Sequence, residues 1–123
     1  MDESVTVGLK RIYDAIDSAD GARVLVDRIW PRGVSRDRAT LHSWLKEVAP
    51  STELRKWYGH EPERWPEFRN RYREELETNA ALPELVALAN AQDVTLVYSA
   101  RDVERNQAVV LAEVVAERLE PSW

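Results

Sequence analysis

Hydrophobic residues in this chain follow two different spacings, which predict strands in some segments and helices in others. Val5, Val7 and Leu9 alternate with Thr6, glycine and lysine, as in a strand with one face towards solvent. The largely apolar runs at 24–26 and 94–98 instead indicate strands that are covered on both faces. We therefore expect one half-exposed strand and two strands in the interior of a sheet.

Apolar residues at helical spacing predict five helices, four of them between the two buried strands. The first helix would carry Leu41, Trp44, Leu45 and Val48 on one face and end before Pro50. Ahead of it, Pro31 and Gly33 suit the second and fourth positions of a type I turn. The predicted helices cover 41–49, a segment from Ser51 or Thr52 to Gly59, a segment from Glu61 or Pro62 to about Thr78, 83–91, and a final stretch of 108–119 that ends before Pro121.

This order of elements predicts the fold class. Buried strands separated by helices favour a single small α/β domain over residues 1–123, with a mostly parallel sheet of three or more strands flanked by helices, in Rossmann-like layering. The sequence contains no G-x-G-x-x-G segment and no P-loop, so nothing indicates a dinucleotide or a nucleoside triphosphate. We predict no cofactor.

Composition narrows the classes of function. The formal net charge of −5 argues against nucleic acid as a partner, and the lack of cysteine excludes disulfides and thiol nucleophiles. His42 and His60 are far apart in sequence, so we predict no metal site. The acidic start at Met1–Glu3 and the absence of a long apolar run lead us to expect a cytoplasmic protein that does not contact membranes.

The candidate site lies where the two buried strands end. Ligands of open parallel sheets bind at the carboxyl ends of strands, and here several arginines follow those ends. Such a cluster suits a phosphate, a sulfate or a carboxylate. We predict an anionic small molecule or nucleotide-type ligand, with hydrolysis as one form of the activity. Asp27 is the candidate acid or base, and the candidate ligand-binding residues are Arg28, Trp30, Arg32, His60, Tyr98, Arg101 and Asn106.

The same residues also have plain structural interpretations. Arg28 could pair with Asp27 or another carboxylate, and Asp102 could cap the last helix. A second function is a noncatalytic module that binds a protein or a nucleic acid through the segment 55–73, where aromatic residues alternate with arginines. Interspersed glutamates favour a solvated helix there instead. Exposed ring faces on Trp57, Tyr58 and Trp65 would favour the interaction module.

Several segments together resemble a known family. They are KRIYD at 10–14, VLVDRIWPRG at 24–33, APSTELRKW at 49–57, HEPERWPEFRNRYREEL at 60–76 and TLVY at 95–98, followed by Asn106. They are similar to the YeaO-like family of small bacterial proteins, a group of unknown function. The resemblance implies an α/β domain and assigns no reaction. More distant branches of the group carry cysteine and histidine at the turn corresponding to 99–106, and this sequence has neither residue at that turn.

Overall fold

A four-stranded parallel sheet forms the centre of the protein, for which a computed structural model describes residues 7–120. The strand order is β1-β4-β2-β3, and all three pairings are parallel. Every residue of β2 and β4 is buried, which confirms the two predicted interior strands. Val5 of the predicted first strand lies outside the described residues. The strands are β1 (Val7–Arg11), β2 (Ala22–Leu25), β3 (Ser43–Trp44) and β4 (Val94–Tyr98).

Helices cover the sheet unequally. The larger hydrophobic core lies between one sheet face and the four later helices, and a smaller cluster around Leu25 and Val97 lies on the other face. The first helix contributes Ala39 to that smaller cluster. The helices are α1 (Arg36–Ala39), α2 (Thr52–Tyr58), α3 (Trp65–Glu77), α4 (Leu82–Ala91) and α5 (Gln107–Arg118), with 3-10 turns at Ser18–Asp20, Lys46–Val48 and Pro62–Arg64. The predicted α/β class is confirmed.

Residues at the helix ends explain why most boundaries could be predicted. The Ser51 hydroxyl accepts a hydrogen bond from the Leu54 amide at the start of α2, and Gly59 adopts a left-handed conformation (φ 52°) at its end. The Asn106 side chain caps α5 by accepting from the Val109 amide. Pro121, expected just beyond α5, lies outside the described residues.

The helix predicted over 41–49 is wrong. The chain instead forms the short strand β3, and the amides of the flanking residues His42 and Leu45 donate to the carbonyls of Arg23 and Leu25. The Trp44 indole also donates to the Asp27 carbonyl at 2.7 Å. Pairing with the edge of β2 therefore replaced helical hydrogen bonds, and the apolar residues that suggested one helical face are shared between the two cores.

The turn near Pro31 also differs from the prediction. The bend falls on Arg32 and Gly33, and Gly33 has φ 79°, a conformation that only glycine adopts freely. The glycine is thus a central residue of the turn, whereas a type I turn would have placed it at the end without needing a positive φ. The Trp30 indole donates to the Val34 carbonyl at 2.7 Å and closes this loop.

The opposite end of the sheet is held by a buried carboxylate. Asp20 forms ion pairs with Lys10 at 2.7 Å and with Arg23 at 2.8 Å, and the first of these contacts is the main reason why its pKa is lowered. Gly21 follows with φ 64°, and a Cβ placed there would lie 2.3 Å from the Asp93 carbonyl oxygen. Among residues 7–120, no helix is long and apolar enough to span a bilayer.

Candidate functional site

A cavity of about 310 Å³ lies at the carboxyl ends of β2 and β4. These strands are parallel neighbours, so the loops that follow them leave the same edge of the sheet, as the sequence predicted. Its walls are formed by residues after β2, residues after β4, the segment before α2, and side chains of α2, α3 and α5. The lining consists of Asp27, Arg28, Ile29, Trp30, Pro31, Arg32, Ala49, Pro50, Arg55, Tyr58, His60, Phe68, Ser99, Ala100 and Gln107.

Asp27 lies in the wall of this cavity and is only 8% exposed. Its carboxylate accepts three hydrogen bonds: from the Ser99 amide (3.1 Å), the Ser99 hydroxyl (2.6 Å) and the Gln107 side-chain amide (2.6 Å). Burial nevertheless raises the pKa of Asp27, although these donors and the charge of Arg55 oppose the rise. Asp27 therefore ties the end of β2 to the loop after β4 and to the start of α5.

Arg28 also lines the cavity, but much of its guanidinium is already engaged. Its Nε donates to the Pro50 carbonyl at 3.1 Å and its Nη2 to the Ala49 carbonyl at 3.0 Å. These partners are backbone carbonyls, not the carboxylate that the structural interpretation of the sequence suggested. Arg28 thus holds the segment that leads into α2.

Arg55 is the cavity arginine that sequence reasoning missed. It lies on α2, three residues before the buried Tyr58, and its Nε is buried with no hydrogen-bond partner among residues 7–120. A buried donor without a partner is rare in folded proteins and costs free energy. The spacing to Tyr58 was the signal that could have identified it, because residues three apart share a helical face.

The remaining predicted residues of the cavity lie at its rim. Trp30 is half-buried and meets Trp44 edge to face with ring centroids 5.3 Å apart. Arg32 has an exposed side chain, and its carbonyl accepts a hydrogen bond from the Tyr13 hydroxyl at 3.0 Å. His60 is exposed, has φ 57° and lies 5.7 Å from the Tyr58 ring. The structure therefore brings Asp27, Arg28, Trp30, Arg32 and His60 together.

The other three predicted ligand-binding residues do not line this cavity. Tyr98 is 3% exposed within the larger core, and burial raises its pKa. Asn106 caps α5 and donates to the Asp102 carbonyl at 2.8 Å. Arg101 has an exposed side chain. The cap of α5 is thus Asn106, while Asp102 binds the amides of Glu104 and Arg105 one turn earlier.

In the aromatic and arginine-rich segment 55–73, the rings pack against arginines and against one another. Guanidinium groups of Arg64 and Arg71 lie 5.5 and 4.4 Å from the Trp57 ring, which is half-buried. Tyr58 is buried and stacks on Phe68 with centroids 4.3 Å apart. Other arginines of α3 form ion pairs with α5, namely Arg69 with Glu113 and Arg73 with Glu113 and Glu117. The ring faces that a stacking platform needs are therefore largely covered.

The fold and the cavity define a small parallel α/β protein with a ligand-sized recess at its strand ends. The chain belongs to the family described as the inactive DUF488-N3 subclade, whose model matches residues 6–122. It is similar to an uncharacterised protein of Mycobacterium tuberculosis H37Rv, with 51% identity over 109 residues that cover 89% of this chain and 92% of the relative. It is also similar to the uncharacterised protein YeaO of Escherichia coli K12, with 41% identity over 110 residues, 89% of this chain and 96% of the relative. No solved structure shows a significant match.

These similarities confirm the YeaO-like resemblance found in the sequence. They name no reaction and no ligand, so the chemistry of the site has to be argued from its own geometry. Among residues 7–120, no group of three or more histidine, aspartate or glutamate side chains is arranged to hold a metal ion.

Proposed function

We propose that this protein binds a small anionic molecule in the cavity at the carboxyl ends of β2 and β4. One observation carries the proposal: Arg55 lines the cavity, and its buried Nε has no hydrogen-bond partner among the described residues. A bound anion would give that guanidinium an acceptor and compensate the cost of its burial. Arg32 and His60 stand at the entrance and add cationic or polar contacts.

Binding without turnover is the form of this function that the geometry supports best. Asp27 is the candidate acid or base, but both of its carboxylate oxygens already accept hydrogen bonds from Ser99 and Gln107. The description of the family as an inactive subclade agrees with a binding role. Hydrolysis with Asp27 as the acid or base stays a prediction, which the Asp27→Asn variant tests in any assay that detects turnover.

The proposal is tested by thermal unfolding with a panel of small anions, namely phosphate, sulfate, nucleoside monophosphates and carboxylates. We expect at least one of them to raise the midpoint of the wild type, because a ligand that binds only the folded state stabilises it. Arg55→Gln should remove the shift. Lys56→Gln is the matched control, since Lys56 is an exposed residue of the same helix that does not line the cavity.

Two outcomes would contradict the proposal. One is that no anion changes the midpoint of the wild type at millimolar concentration, and the other is that the shift survives in Arg55→Gln. We further propose a cytoplasmic location, which is compatible with the absence of cysteine. Cell fractionation with an antibody against the native protein would test the location.

A further inference from the structure

Among residues 7–120, three arginines line the cavity, and they differ in whether their donors are free to meet a ligand. Arg28 already donates through Nε and Nη2 to backbone carbonyls, and Arg32 has its side chain exposed at the rim. Arg55 is the cavity arginine whose buried Nε lacks a partner among residues 7–120. A single planar guanidinium fork matches the two oxygens of one carboxylate.

Asp27 limits the charge that the ligand can carry. Its carboxylate lies in the wall of the same cavity and interacts electrostatically with Arg55. It also binds the Ser99 amide and Gln107, so the chain's own carboxylate takes the donors between β4 and α5 that a phosphate would otherwise use. Asp27 repels a dianion more strongly than a monoanion, and the Arg28 donors are already bound to backbone carbonyls, so the Arg55 guanidinium matches a monoanion better.

Much of the rest of the wall is apolar. Tyr58 and Phe68 stack against each other at 4.3 Å and both line the cavity, and Ile29 and Pro50 do so as well. Apolar and aromatic lining favours a ligand with an apolar body, because such a body removes this surface from water. The volume of about 310 Å³ is at the small end of ligand cavities, which suits a single ring rather than a nucleotide.

We propose that the ligand is a small monocarboxylate with an apolar ring, its carboxylate on Arg55 and its ring against Tyr58 and Phe68. This inference rests on the proposed function and specifies its ligand class. The carboxylate supplies the acceptor that the Arg55 guanidinium lacks, and the ring fills the apolar part of the recess. Inorganic phosphate and nucleotides are then poor ligands of the cavity.

Isothermal titration calorimetry at pH 8 with four probes tests the ligand class: benzoate, its neutral isostere benzamide, phenyl phosphate and inorganic phosphate. We expect benzoate to bind at least about tenfold more tightly than each of the other three, since it alone combines one negative charge with a ring. Arg55→Gln should weaken benzoate at least about tenfold and leave benzamide nearly unchanged. Lys56→Gln should bind benzoate like the wild type.

A fifth probe, acetate, isolates the ring. We expect acetate to bind at least about tenfold more weakly than benzoate, and Phe68→Leu to reduce this difference. Far-UV circular dichroism confirms that each variant is folded. If Arg55→Gln does not fold, Arg55→Lys, which retains the positive charge, serves as the second variant. It keeps a cation without the planar fork, so benzoate should again weaken.

The outcomes separate the two proposals. If phosphate or phenyl phosphate binds as tightly as benzoate and depends on Arg55, the ligand class is wrong while anion binding stands. If benzoate binds equally well in Arg55→Gln, the assigned carboxylate position is wrong. If none of the five probes nor any member of the anion panel binds the wild type, anion binding itself is contradicted.

Discussion

Replacing Arg28 by alanine tests whether this arginine is a structural residue. In the folded protein its guanidinium donates to the carbonyls of Ala49 and Pro50, at 3.0 and 3.1 Å, and both of those residues are buried. Alanine would leave the two acceptors without their donors. Ala49 and Pro50 also border the larger core through their neighbour Val48, so the loss would loosen the entry into α2.

The magnitude follows from these two contacts. A hydrogen bond from a charged donor contributes roughly 1.5–3 kcal/mol, and water entering the cavity would recover part of this for the half-buried Arg28. We therefore expect Arg28→Ala to lower the free energy of unfolding by about 2–4 kcal/mol. Unfolding entropy of about 2.1 cal/mol/K per residue converts this to a fall in Tm of roughly 8–15 °C.

Arg32→Ala is the matched control, because it removes the same charge from the same loop. The Arg32 side chain is exposed, and the hydrogen bond from Tyr13 goes to its backbone carbonyl, which alanine retains. A surface substitution of this kind changes stability by about 0.5 kcal/mol at most, or roughly 2 °C. Differential scanning calorimetry of both variants checks the pair. A Tm for Arg28→Ala within 2 °C of the wild type would refute the structural role.

Three further predictions concern the backbone and the buried carboxylates. In urea unfolding, Gly21→Ala should cost at least about 2 kcal/mol more stability than Gly59→Ala. Both glycines have positive φ, but of the two only Gly21 would place a Cβ 2.3 Å from a carbonyl oxygen. Equal losses of stability would contradict this. Asp27 has a raised pKa, so its ionisation costs stability as pH rises from the ordinary pKa of 3.8 through the pKa in the folded state. In Asp27→Asn the Gln107 amide can turn over to accept a hydrogen bond, and the variant should gain stability relative to the wild type across that pH window in urea titrations. A stability difference that stays constant with pH would contradict this. Asp20 has a lowered pKa, so its ionised carboxylate stabilises the fold above pH 3.8, and this stabilisation is lost as the pH falls below that value. Asp20→Asn should therefore be less stable than the wild type at pH 7, and the stability difference should shrink in acid. A stability difference that grew in acid would contradict the stabilising role of the Asp20 carboxylate.

Local signals in the sequence were enough for the interior strands and for most helix ends. The apolar runs at 24–26 and 94–98 matched two buried strands, and Ser51 and Gly59 bounded α2 as capping residues do. The segment 41–49 failed because its fate depends on a partner that is distant in sequence. Pairing with the edge of β2 makes part of this segment a strand, and helical periodicity carries no information about that edge.

The residues of the candidate site were likewise predicted only in part. Strand ends located Asp27, Arg28, Trp30 and Arg32 at the cavity, because parallel neighbours bring their following loops together. Arg55 was not predicted at the site, because a charged residue on an amphipathic helix is expected to face solvent unless the packing of that helix is known. Conversely, Tyr98 and Asn106 follow the right strand but serve the core and a helix cap.

The position of β4 between β1 and β2 has a consequence for how the chain is made. Arg11 at the end of β1 donates to the carbonyl of Ala100, a residue 89 positions later, so the first strand finds its partner only when the last strand of residues 7–120 has left the ribosome. Until then β1 and β2 have no strand between them to pair with. Nascent chains stopped before β4 should therefore remain open to proteases, and closing such a long loop makes sheet completion a late event in biosynthesis.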